Sequence, residues 1–184
     1  MRIPQRELYQ QLRAEATATR DRIAALVRPL DSARINEHPE PTGWSVGQVL
    51  EHLCVTDELY EVPLAALLRG ARPDAGAPAR EWKPSLIGGM IAGALRKPRP
   101  LKAPKVFTPG PQPRNGVVEA LLSRETRFVQ AMDDASSYDW RALRIGSPAL
   151  PRWAPKMNLG DGFRIHIVHL TRHSHQVERL VGKL

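Results

Sequence analysis

Residues 158–182 read NLGDGFRIHIVHLTRHSHQVERLVG and hold four of the six histidines of the chain, His166, His169, His173 and His175. Phe163, Leu170, Val177 and Val181 recur at helical spacing, about 100° per residue, and give the stretch one apolar face. His166, His169, His173 and Gln176 form a stripe along the border of that face, while His175 points to the opposite side. Asn158 is the predicted N-cap, with Asp161 in the first turn, where its charge meets the positive end of the helix dipole. Imidazoles turned toward a buried face need partners there, because an unsatisfied polar group is costly out of water. Two histidines at i and i+4 reach one cation, and imidazole suits Zn, Ni, Cu and Fe. Metal binding is therefore the first expectation. Spacing alone leaves open whether His169 and His173 or a pair that uses His166 would do it.

Three further amphipathic segments accompany this helix. After Pro4, the positions of Leu8, Leu12, Ala16, Ile23, Leu26 and Leu30 predict a first helix that stops by Pro29. The following DSARINEHPEPTG (31–43) reads as a polar loop carrying an exposed His38. In TGWSVGQVLEHL (42–53), Ser45 and Gln48 make a capping box, and Trp44 can close on Val49 as a hydrophobic staple. Val46, Leu50, Leu53, Tyr60 and Leu64 then mark the buried face of a second helix, in which Pro63 predicts a kink or an interruption. Val118, Leu121, Leu122, Phe128, Val129 and Met132 define a third helix over 115–133.

Two carboxylates stand where these patterns ask for apolar residues. Asp57 falls between Leu53 and Tyr60, and Glu125 sits centrally on the third helix. A carboxylate on a buried stripe is expensive unless it is paired. His52 lies on the flank of the second helix's apolar face, beside Val49, Thr56 and Leu59.

Between the second and third helices, residues 70–114 are rich in Pro, Gly, Ala and Arg, and only SLIGGMIAGAL (85–95) predicts a short helix. A connection of that length is functional, mobile, or a crossover along a bundle, and part of it is expected to be poorly ordered. A second proline-punctuated loop, SSYDWRALRIGSPALPRWAPKM (136–157), leads into the histidine helix. No strand-like alternation is strong enough to support a sheet. The expected fold is all-α, a four-helix bundle in one domain over 1–184 with a long connection between helices 2 and 3.

The composition narrows the function. With 27 Lys and Arg against 19 Asp and Glu, the 184 residues carry a net charge of +8. The excess arginine is scattered among prolines and alanines, and aromatics are only 5% of the chain, which argues against a base-stacking nucleic-acid surface. The single cysteine, Cys54, excludes an internal disulfide framework. No stretch approaches the roughly 18 to 20 apolar residues of a membrane span, and the polar N-terminus MRIPQRELYQQL is not a signal sequence. A cytoplasmic protein without membrane contact is the expectation.

The helical motifs also resemble a known family. WSVGQVLEHL at 44–53 is similar to the helix-two signature of the DinB/YfiT-like superfamily of metal-binding four-helix bundles. HLTRHSHQ at 169–176 is similar to its closing motif, two histidines four apart with a glutamine three further on. KAPKVFTPGP (102–111) and SPALPRWAPKMNLGDGF (147–163) sit where one branch carries similar loops. The resemblance implies that His52, His169 and His173 ligate one divalent metal, zinc or nickel being the expected ions. It selects this register because Gln176 falls at the motif's glutamine. His166 is then an extra group, positioned behind a ligand or facing substrate. Family members include transferases and isomerases that use low-molecular-weight thiols, and relatives are often homodimers, so a small-molecule substrate and a homodimer are expected.

Three protein ligands leave a coordination position open, as in catalytic metal sites. That position suits a water, whose pKa Zn²⁺ can lower toward about 7, or a substrate thiolate. A metal-dependent hydrolase or a thiol S-transferase follows, with Asp57 or Glu125 as proton acceptor or as support behind the ligands. The plainer roles for the acids are a buried pair with an arginine, or a polar cluster in which the histidines pair with Asp57 and Glu125. Cys54, roughly 200° round the helix from His52, is expected to pack away from the metal. The alternative function is a non-catalytic metal-binding or stress-related binding protein acting as a homodimer. Apolar residues exposed on the first or third helix, or a fourth side chain closing the metal shell, would favour it.

Overall fold

The computed structural model describes residues 2–40, 42–97 and 101–184. Its helices are α1 (Gln5–Val27), α2 (Ser32–Asn36), α3 (Val46–Gly70), α4 (Leu86–Arg96), α5 (Val117–Asp134) and α6 (Leu159–Val181). The packed pairs are α1 with α6, α6 with α3, α3 with α5 and α5 with α1, which closes a four-helix bundle. The fold is all-α, as the periodicity requires. Strand structure among the described residues is limited to two antiparallel pairs of two residues each. Ile3–Pro4 (β1) pairs with Glu81–Trp82 (β2), and Arg144–Ile145 (β3) with Met157–Asn158 (β4).

The caps follow the sequence. Ser45 Oγ accepts from the Gln48 amide at 3.1 Å, and the Ser45 amide donates to Gln48 Oε1 at 3.1 Å, so the capping box of α3 is complete. Asn158 Oδ1 accepts from the Asp161 amide at 2.8 Å and starts α6. Two expectations need correction. First, Pro63 does not interrupt α3, which continues past it to Gly70, with Pro63 exposed on the helix surface. Second, the loop at 31–43 contains the short helix α2, capped by Asp31 Oδ1 accepting from the Arg34 amide at 2.8 Å. His38 is exposed, as expected.

The connection between α3 and α5 is the main addition to the bundle. Its described residues are built into the fold rather than loose; residues 98–100 lie outside the description. Trp82 is fully buried and donates from Nε1 to Asn158 Oδ1 at 2.9 Å, which ties the connection to the cap of α6. Asn158 Nδ2 donates in turn to the Lys83 carbonyl at 3.0 Å. Ser85 caps α4, and its amide donates to Asp161 Oδ2 at 2.8 Å. Helix α4 thereby lies along the outside of α6. The approach is too close for side chains: a Cβ on Gly160 would come 2.2 Å from Trp82 Nε1, and one on Gly88 2.1 Å from Asp161 Cγ.

The core forms two apolar clusters. One gathers Ile23, Val27, Val49, Leu50, Leu53, Val117, Leu121, Leu170 and Val177. The other gathers Leu8, Leu12, Trp82, Met132, Trp140, Leu159, Phe163 and Ile167. Along α5, Glu125 falls between Leu121 of the first cluster and Met132 of the second. Polar side chains that the patterning flagged as misplaced therefore sit in a layer between two dry ones.

Candidate metal centre

Helices α3 and α6 supply the histidines. His52 lies one turn and a half into α3, past the cap that sets the start of that helix, and His169 and His173 lie one turn apart on α6. The structure brings these three rings together across 117 residues of sequence: His52 Nε2 and His169 Nε2 are 2.9 Å apart. Ring centroids are 4.9 Å apart for His52 and His169, 4.7 Å for His52 and His173, and 4.5 Å for His169 and His173. The planes meet at 63° to 80°, so the rings converge by their edges instead of stacking.

Hydrogen bonds on the far side of two rings fix which nitrogen is free. His52 Nδ1 donates to the Phe107 carbonyl at 2.6 Å, and His173 Nδ1 donates to Gln176 Oε1 at 2.8 Å. Each ring then presents an unprotonated Nε2, the atom that binds metals, and the outer partner fixes the ring's orientation. Trp44 packs against His52 with centroids 5.1 Å apart. Burial pushes all three imidazoles toward the neutral, ligand-competent form. It lowers His52, carries His169 well below its usual value with help from the neighbouring histidines, and takes His173 down to about 3. Three neutral imidazoles, two of them with outward Nδ1–H groups and inward Nε2 lone pairs, fit a divalent cation. One potential ligand atom from each lies within 4.8 Å of the other two, and the cluster includes no fourth histidine, cysteine, aspartate or glutamate among the described residues.

Asp57 and Glu125 are not in this cluster. Both converge instead on His166, the extra histidine of α6. Asp57 Oδ1 lies 3.4 Å from His166 Nδ1, and Glu125 Oε2 lies 3.1 Å from His166 Nε2. Phe128 stacks on the imidazole at 3.5 Å between centroids and 13° between planes, which locks the ring. Burial by itself would lower His166, but the Glu125 and Asp57 carboxylates overcome it and lift the group to about 8. Burial raises Asp57 well above the usual carboxylate range, with His166 opposing and Glu125 adding to the rise. Of the two pairings expected for these acids, the one with histidine is found, through the single ring of His166, and not the one with arginine. The signal for this lay in the sequence as one surplus imidazole and two lone acids on buried stripes, but spacing could not pair them.

Cys54 is completely buried, and burial pushes its thiol up to about 12, so it packs in the core. His175 is exposed. Both groups of chemistry open on one cavity of about 1590 Å³, lined by His52, His169, His173, Asp57 and His166. Tyr60, Phe107 and Phe128 give it aromatic walls, and Arg127 and Lys102 are among its cationic lining. His169 is the least buried of the three clustered histidines and faces this space.

A family model, the DinB superfamily, matches residues 15–177. The chain belongs to the DinB superfamily. The match spans all four bundle helices and both histidine-bearing segments, so the resemblance of the two helical motifs extends over most of the molecule. No curated protein and no solved structure matches the chain significantly. No helix among the described residues is long and apolar enough to cross a membrane.

Proposed function

We propose that this DinB-superfamily protein is a metal-dependent enzyme acting on a small molecule, transferring a group to water or to a low-molecular-weight thiol. The observation that carries this reading is the convergence of three imidazoles, with no fourth histidine, cysteine, aspartate or glutamate among the described residues, on the wall of a large cavity. A divalent ion held by His52, His169 and His173, with zinc or nickel the expected species, supplies Lewis acidity that lowers the pKa of a water or thiol.

The chain's own residues do the rest. The aromatic walls bind the apolar part of a substrate and exclude water from the reacting atoms, while the cationic lining favours an anionic group on substrate or thiol. The nucleophile gives up its proton and attacks an electrophilic atom of the substrate, whose leaving group departs with the bonding pair. Asp57 is the group assigned to take that proton. It lines the cavity, and its Oδ2 has no protein partner. Burial raises its proton affinity, as a general base working near neutral pH requires. Glu125 holds the far side of His166 and so positions it.

The non-catalytic alternative drew its expected support from apolar residues exposed on the first and third bundle helices. The large exposed apolar side chains among the described residues lie on α3, α4 and the loops instead, Val62, Leu86, Met90 and Trp153 foremost. The test is elemental analysis of the purified protein and of His52→Ala and His173→Ala, coupled to turnover of a chromogenic ester and of a thiol-conjugating electrophile. Metal content and turnover should both fall at least tenfold in each variant and return when the stripped wild-type protein is reloaded. Turnover that persists after complete metal removal refutes the proposal.

A further inference from the structure

We infer that the Asp57–Glu125–His166 cluster is a second divalent-cation site, separate from the three histidines and open to the same cavity. Each of the three residues offers a ligand atom, and these atoms all lie within 4.8 Å of one another. Ligands about 2.1 Å from a cation stand roughly 3 to 4.2 Å from each other, so the cluster needs only a small contraction to close on an ion.

The independent observation is what the cluster leaves undone. Glu125 is 1% exposed, yet its Oε1 has no hydrogen-bond partner, and the buried Oδ2 of Asp57 has none either. Buried carboxylate oxygens are nearly always satisfied, and each exception calls for a group that completes it. With no cation bound, a proton shared between Asp57 Oδ2 and Glu125 Oε1 serves these two oxygens, since Oδ1 and Oε2 face His166; a count of bound metal separates that arrangement from a cation site. A cation accepts several carboxylate oxygens at once and also neutralises their charge: two carboxylates and a neutral imidazole around a divalent ion sum to zero. The His166 ring is held in place by Phe128, and Asp57 and His166 line the cavity, which supplies the route of entry.

The ligand chemistry differs from that of the first site. Two carboxylates and one imidazole make a harder donor set than three imidazoles, suited to Mn²⁺ or Fe²⁺ as well as Zn²⁺. A cation here takes Asp57 as a ligand, so occupancy of this site and the use of Asp57 as proton acceptor exclude each other. The site stands on its own residues and does not depend on the three-histidine reading.

Equilibrium dialysis of the stripped full-length chain against Zn²⁺ alone, with the bound metal counted, tests this, with Mn²⁺ binding followed by electron paramagnetic resonance. Wild type should bind two Zn²⁺ per chain. His173→Ala and Glu125→Gln should each bind one, and the combined variant none. Mn²⁺ should bind wild type and His173→Ala alike, and Glu125→Gln should weaken it at least a hundredfold. One Zn²⁺ per wild-type chain, retained in Glu125→Gln, overturns the inference while leaving the three-histidine site standing. One Zn²⁺ retained in His173→Ala and lost in Glu125→Gln upholds it and removes the first site instead. Should Glu125→Gln fail to fold, the wild-type Mn²⁺ measurement decides: absence of tight Mn²⁺ binding overturns the inference.

Discussion

His173 shows how one side chain is prepared by its neighbours. Its Nδ1 is engaged by Gln176 one turn further along α6, so removing that amide frees the ring to rotate and to present either nitrogen. Gln176→Ala should weaken metal binding by about ten- to a hundredfold without altering the helix, as loss of a ligand's outer partner typically does. Competition with a chelating dye measures it. Cys54 gives a contrasting case on α3, two residues from His52. Fully buried and pushed up to about 12, its thiol should resist a thiol reagent at pH 8 in the folded protein and react at once in denaturant. Rapid labelling of the native chain, with loss of metal, would place it at the site instead. The residue types needed for a metal centre were readable one by one, but the partner of each was not. Gln176 could be read because it lies on the same helix as its histidine. The Phe107 carbonyl could not, since it is 55 residues from His52 and reaches it only through packing.

Element boundaries followed from caps and apolar spacing, while docking between elements depended on features with little periodic signal. The seat of the α3–α5 connection on α6 depends on Gly160 and Gly88. Alanine at Gly160 would gain about 1 kcal/mol of helix propensity. Its Cβ, however, would collide with the rigid, hydrogen-bonded indole of Trp82, an overpacking that costs about 1–3 kcal/mol or more. The clash wins, so Gly160→Ala should lower unfolding free energy by about 1–2 kcal/mol in urea titrations, and Trp82→Phe should relieve part of the loss. Arg114, at the far end of the same connection, donates to Glu51 from Nη2 at 2.8 Å and to Glu58 from Nη1 at 2.6 Å. These hydrogen bonds hold both carboxyls below their usual range against burial. A depressed folded-state value means the stabilisation is complete above about pH 4.5 and is lost as pH falls through the lower folded value. Arg114→Gln should therefore cost about 2 kcal/mol at pH 7, and the gap to wild type should shrink steadily below pH 4.5. A gap that is flat with pH would show that Arg114 acts by packing alone.

For the molecule as a whole, metal and fold are linked, because the candidate ligands come from the second and last long helices and meet only in the native state. A ligand that binds only the folded chain stabilises it by about 2.7 kcal/mol at a hundred times its dissociation constant. Thermal melts should shift upward with added Zn²⁺ and downward with chelator, and both shifts should be much reduced in His173→Ala. The sequence by itself determined four amphipathic helices, the caps of the second and the last, the all-α class and the family register that pairs His169 with His173. These are local properties, carried by residues within a turn or two of each other. Tertiary structure alone decided that α3 passes Pro63 unbroken, that α4 lies on α6, and that His166 takes both buried acids in place of arginines. The family resemblance had already joined His52 to His169 and His173, and the packing of α3 on α6 sets the distance between the rings. Each of those outcomes depends on which faces meet across the bundle, and periodicity along one helix says which residues are buried but not which distant residue they are buried against.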